Sequence, residues 1–137
     1  MKKRRKSVLV PVNLRLDGRG GTWTATFGPL SEWLATEQGD FNFSGAGKAV
    51  VVLTLQDSPG VQFLETGDLS IGFDERECPL TSDPKDKDVF RNIAVSDDRR
   101  SLSFTNSRKT KIADFFYAIF LRKGEDLIRI DPRIINR

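Results

Sequence analysis

No histidine occurs among the 137 residues of this chain, and cysteine and tyrosine occur once each. Histidine is the usual general base near neutral pH and the commonest metal ligand. Its absence excludes Ser-His-Asp and Cys-His catalysis, haem held by imidazole, and the usual zinc and copper sites. Only carboxylates, lysine or the lone tyrosine are left for chemistry. The expectation is therefore a non-enzymatic protein with no cofactor and no metal. Cys78 has no partner for an internal disulfide, so the fold does not rest on an oxidising compartment. Glu75 and Glu77 close to it in sequence disfavour a thiolate. No apolar run approaches the roughly 20 residues that span a bilayer.

What remains is the composition of a globular domain. Hydrophobic residues make up 38% and charged residues 30%, and the length suits a single core. The formal charge of +3 is unevenly placed, because residues 1–20 hold seven of the 22 Lys/Arg and one of the 19 Asp/Glu. That segment is +6 and the rest of the chain is −3. The excess sits in Lys2, Lys3, Arg4, Arg5 and Lys6. Pro11, Asn13 and Arg15 interrupt the apolar run that a signal peptide would need after such a tip. The expectation is a cytoplasmic protein with a flexible basic tip over 1–6 and one domain over 7–137. Clustered Lys/Arg displace phosphate counterions, so the tip suits nucleic acid or another anionic surface. A solubilising terminus is the plainer reading.

After the tip the pattern has period two. Val8, Val10, Val12, Leu14 and Leu16 alternate with Leu9, Pro11, Asn13 and Arg15, which predicts a half-buried strand. Pro11 lacks an amide donor and places that strand at an edge or a bulge. "DGRGG" reads as a tight turn, and "TWTATF" as the return strand with Trp23, Ala25 and Phe27 on one face. "GPLSEWLATEQGD" reads as a short helix or an irregular loop over one end of the core. "GKAVVVLTLQD" is the strongest strand of the chain. "VQFLET" and "DLSIGF" read as two short strands, residues 74–88 as a surface loop, and "FRNIAVSDDRRSLSFTN" as a hairpin. Short strands at this spacing, without a long amphipathic helix, predict an all-β protein. The expected form is an immunoglobulin-like antiparallel β-sandwich, a single domain with at most one short helix.

Several motifs fail on inspection. "SGAGK" at 44–48 has Asn42 and Ala49 where a phosphate loop needs glycine and Ser or Thr, and it opens a strand instead of a helix. "DPKDKD" lacks the alternating ligands, the glycine and the terminal glutamate of a calcium loop. Arg108, Lys109 and Lys111 have no interleaved aromatics for base stacking.

The stretch "DFFYAIFL" is apolar on both sides of a strand. Tyr117, Ile119 and Leu121 are expected inward, with Phe116 and Phe120 on the opposite face. That outer pair is either covered by the same chain or is a face for a protein partner or a second copy, since paired exposed aromatics are unusual on monomers. A strand entered through Asp114 and carrying Tyr117 has the form of a tyrosine corner, although Ile119 stands where the cysteine would be. In "DPRIIN", Pro132 ends or bends the last strand, and Asp131 and Asn136 suit turn hydrogen bonds.

The closing third, "LSFTNSRKTKIADFFYAIFLRKGEDLIRIDPRIINR", resembles the DP-EP family of small bacterial proteins. Leu102, Phe104, Tyr117, Ile119, Ile128, Ile130, Asp131-Pro132, Ile134 and Asn136 carry the resemblance. It implies a β-sandwich of immunoglobulin-like architecture and brings no established activity or site residues. The reading is thus a binding module that engages a protein partner or itself through Phe116 and Phe120. The alternative is nucleic-acid or anionic-surface binding through Lys2 to Lys6. Deleting residues 1–6 removes no position of the apolar pattern. The truncated protein should melt within a few degrees of the full chain, and a larger fall would show that the tip packs.

Overall fold

Alternation of apolar and polar residues carries most of this chain into strands. The computed structural model describes residues 7–19, 22–43, 47–75, 90–106 and 114–135. Its elements are β1 (Val8–Arg19), β2 (Thr22–Gly28), β3 (Phe41–Asn42), β4 (Ala49–Leu55), β5 (Val61–Phe63), α1 (Gly67–Ser70), β6 (Ile71–Glu75), β7 (Phe90–Val95), β8 (Ser101–Asn106), β9 (Asp114–Lys123), β10 (Asp126–Ile130) and β11 (Arg133–Ile135). They form two sheets packed as a sandwich. One runs β2-β1-β4-β8-β7. The other is built on β9, with β5 and β6 along one side, β10 and β11 along the other, and β3 outside β11.

The succession β1-β4-β8-β7 against β5/β6-β9-β10/β11 follows the ABED-against-CFG arrangement of immunoglobulin-like domains. Two pairings depart from the antiparallel rule, since β1 with β4 and β3 with β11 are parallel. A parallel pair needs a long crossover, and β2, β3 and their flanking loops supply it between β1 and β4. No helix among the described residues is long and apolar enough to cross a membrane.

The core is the inward half of each alternation. Val10, Val12, Leu14 and Leu16 of β1, Val51, Leu53 and Leu55 of β4, Leu102 and Phe104 of β8, and Ile128 of β10 are all buried. Tyr117, Ile119 and Leu121 of β9 are buried as expected. The stretch after Gly28 takes the irregular-loop form of the two expected; Ser31 Oγ accepts from the amides of Trp33 and Leu34 at 3.2 Å, a bend that drives Leu34 into the core against Phe41. Two local expectations need correction. The one helical turn lies at Gly67–Ser70, within a stretch read as strand. Thr66 caps it by accepting from the Leu69 amide at 3.3 Å, and Ser70 Oγ donates back to the Thr66 carbonyl at 2.7 Å. Finally, β6 continues to Glu75, because Asp74 and Glu75 find ladder partners in Phe116 and Phe115.

Tyr117 is fully buried, and the backbone just upstream of β9, where a tyrosine corner would find its partner, lies outside the described residues. Among the described residues its hydroxyl donates to the carbonyl of Gly39, 2.5 Å away and 78 residues earlier in the chain. Gly39 can present that carbonyl because it sits at φ +92, with the Phe27 ring 2.6 Å from where a Cβ would be. Only glycine meets both conditions. Burial raises the Tyr117 pKa well above its usual value, with the charge of Asp40 adding to the effect. A raised folded pKa favours the protonated fold, so this contribution is complete below about pH 10 and is lost as pH rises further.

Tyr117→Ala should cost about 3–5 kcal/mol, as aromatic-to-alanine changes in cores do. Tyr117→Phe should cost about 1–3 kcal/mol, because the buried Gly39 carbonyl loses this donor. Chemical denaturation distinguishes them, and a Phe variant as stable as the parent would show that the phenol bond contributes nothing.

Candidate functional site

One end of the sandwich is organised by a network that begins in the β7–β8 turn. Asp98 Oδ1 accepts from Ser96 Oγ at 2.6 Å and from the Arg100 amide at 3.0 Å. These two bonds, the Ser96 bond first, hold the exposed Asp98 carboxyl below the usual carboxylate range. The turn so fixed aims Arg100 at the loop that follows β4. Its Nη1 donates to the carbonyls of Ser58 and Val61 at 2.7 and 2.9 Å, and its Nη2 to that of Leu55 at 3.3 Å. On the backbone, Leu55 N–H donates to Arg100 and Phe63 N–H to Arg99, both at 2.8 Å. One arginine thus joins the turn of the first sheet to β5 of the second. Ser58 completes the network from a site only 1% exposed. Its Oγ accepts from the Leu16 amide at 2.8 Å and donates to the Gln56 carbonyl at 2.9 Å.

Gly60, in the loop that Arg100 holds, also borders a cleft of about 550 Å³ lined by Gly18, Thr22, Trp23, Lys123, Gly124 and Asp126. Trp23 ends the inward face of β2, and its ring lies 2.9 Å from where a Gly18 Cβ would stand. Lys123, the inward residue at the end of β9, packs its stem beside Gly60 and sets its ammonium 5.7 Å from the indole centroid. The Lys123 stem and Trp23 thus close the mouth of the core as amphipathic side chains do. The cleft lies where the β4–β5 and β9–β10 connections meet, the same end at which immunoglobulin variable domains carry their binding loops. A second recess of about 470 Å³, lined by Asn13, Arg15, Thr26, Gly28, Glu37 and Gln56 among others, opens where β2 ends.

The aromatic pair proposed from sequence lies elsewhere, on the outer face of the β9 sheet. Phe120 is half-buried there. The loop over 76–89 lies outside the described residues, so its relation to Phe120 is not described. Among the described residues Phe120 meets Arg129, directly opposite on β10, whose guanidinium carbon lies 5.5 Å from the ring centroid. Arg129 Nε donates to Asp131 Oδ1 at 2.8 Å, so Asp131 accepts from a side chain instead of a turn amide. Next along the face, Arg122 stands opposite Leu127, which is 70% exposed, and Arg122 reaches Glu65 at 3.4 Å. Phe116 is described only in its backbone pairing with Asp74 and Arg133. Lys2, Lys3, Arg4, Arg5 and Lys6 lie outside the described residues, as do Cys78, "DPKDKD" and the Arg108–Lys111 cluster. Among the described residues, no three of Cys, Asp and Glu gather as a metal site would require.

Sequence reasoning missed Arg122, Arg129 and Leu127 beside Phe120, and Trp23, Lys123 and Arg100 at the loop end. The first three were reachable in part: "LRKGED" is a hairpin signal, and pairing through it places residue 120 opposite 129. The other three meet across the sandwich, and no local spacing records that. No family model matches the chain, and no curated protein matches it.

Ser58→Ala should destabilise the protein by about 1–3 kcal/mol, because the buried Leu16 amide loses its acceptor. The same variant should loosen the loop that Arg100 holds. Amide exchange at Gly60 and Val61 and denaturation measure both, and unchanged exchange would mean that Arg100 alone orders the loop.

Proposed function

We propose that this protein is a non-enzymatic interaction module that docks a protein partner, or a second copy, on the outer face of the β9 sheet. The observation that carries this reading is a contiguous patch. Half-buried Phe120 lies under Arg129, and beside them Leu127 stands 70% exposed opposite Arg122. Aromatic and arginine side chains dominate the energetic centres of interfaces, and an exposed leucine beside them adds apolar area. Asp131 and Glu65 orient the two arginines without neutralising the patch in a dry pocket, and exposed pairs of this kind are cheap to rearrange. The resemblance to the DP-EP family belongs to this proposal, since it agrees with the sandwich and brings no chemistry of its own.

A photo-crosslinking residue at position 127 should trap a partner or a second copy, while the same residue at Leu30, also exposed, should not. Phe120→Ala or Arg129→Glu in the same chain should abolish the adduct while leaving the fold intact. Equal crosslinking from 127 and 30, or an adduct indifferent to both substitutions, would overturn the proposal. Retention on nucleic acid at about 0.15 M salt that disappears when residues 1–6 are deleted would move the function to the basic tip.

A further inference from the structure

We infer that Pro11 guards the open edge of β1 against pairing with a second copy of the chain. Along β1, Val8 to Leu14 pair with β4, but β2 covers the other side only from Asn13 onward, opposite Gly28. The direction of each backbone group follows from two bonds at the ends of β4. Val8 N–H donates to the Lys48 carbonyl, and the Leu14 carbonyl accepts from Gln56 N–H. Even-numbered residues therefore turn their amides and carbonyls toward β4. The period of two sends those of Leu9 and Pro11 the opposite way. Among the described residues no backbone group bonds to either of them on that side.

An apolar strand with bare backbone groups is a template for another strand. This one also carries Leu9, 66% exposed, on its outer face. Proline at position 11 removes the donor that points into the open side and costs nothing in the ladder with β4, to which it contributes no bond. Two copies meeting about a two-fold axis would exchange bonds in antiparallel register. Any such register that engages residue 11 loses two N–H···O bonds, one per copy, and leaves two carbonyls facing no donor. The edge therefore keeps both carbonyls but only the Leu9 donor. This surface is separate from the Phe120 face, so self-association through that face would proceed whatever stands at position 11.

The test is sedimentation velocity on the full chain, with Pro11→Val and with Pro11→Ala, which restores the N–H with the smallest change in side chain. Both should associate at concentrations at least tenfold lower than the parent does. Adding Leu9→Lys to either should return the parent's behaviour, because a charge beside the edge opposes strand pairing. Hydrogen exchange should show the new amide at 11 protected only at concentrations where the variant associates. Variants that sediment like the parent would overturn the inference. So would association that Leu9→Lys leaves intact, or a parent already dimeric with Leu9 protected.

Discussion

A phenol oxygen enclosed on every side must find a partner, and in this protein the search for that partner shapes everything around it. Tyr117 sits at the middle of the longest strand of its sheet, fully buried, and its hydroxyl reaches the Gly39 carbonyl. The connection between β2 and β3 is thereby held over the core, with Phe27 against the bare Cα of Gly39 and Leu34 folded in. Phe41 packs beside Tyr117 with ring centroids 5.9 Å apart, and Phe43 stacks on Phe41 at 5.3 Å. β3, two residues long, could not pair stably without these rings beneath it, since so short a strand has few ladder bonds of its own. Loss of the phenol contact would therefore be felt through the aromatic cluster as well as through one hydrogen bond.

The sandwich is closed at the other end by a different device. Arg100 keeps its guanidinium on three carbonyls at strand ends and in the loop between them, and Ser58 accepts from the Leu16 amide. Backbone groups at strand ends are costly when shielded from water without partners. A charged donor fixed by a turn is an efficient answer, because charge-assisted bonds are stronger than neutral ones. Tyr117 and Arg100 thus do related work from opposite sheets: each is a side chain spent on the backbone of a distant loop.

The strands were legible wherever one face is buried. The alternation in β1, the β-branched run of β4, the β7–β8 hairpin and the inward set of β9 all follow from period two, which tertiary contacts reinforce and do not override. The failures share a cause. Residues 68–70 run into the apolar Ile71 and Phe73 and read as one strand with them, but Thr66 and Ser70 offer local side-chain bonds that close a helical turn first. The Gly39 carbonyl as a destination of the Tyr117 hydroxyl was not legible, because it arrives from a loop across the core. The candidate site was legible only as far as Phe120. Its neighbours Arg129 and Leu127 follow from hairpin register, while Trp23 and Lys123 meet through the packing of two sheets that no sequence spacing encodes.

The double-sided character of β9 has a mechanical consequence for binding. Phe120 lies between Ile119 and Leu121, both fully buried, and Leu127 precedes Ile128, which is buried as well. Each outward residue is thus one peptide away from a side chain locked in the core. A loop-borne site loses conformational freedom when a partner arrives, and that loss subtracts from affinity. On β9 and β10 the backbone has already lost it on folding. What remains free are the side chains of Arg122 and Arg129, and their carboxylate partners limit even those. For the docking proposed above, the patch would be pre-organised by the same alternation that builds the core, because the inner face fixes the position of the outer one.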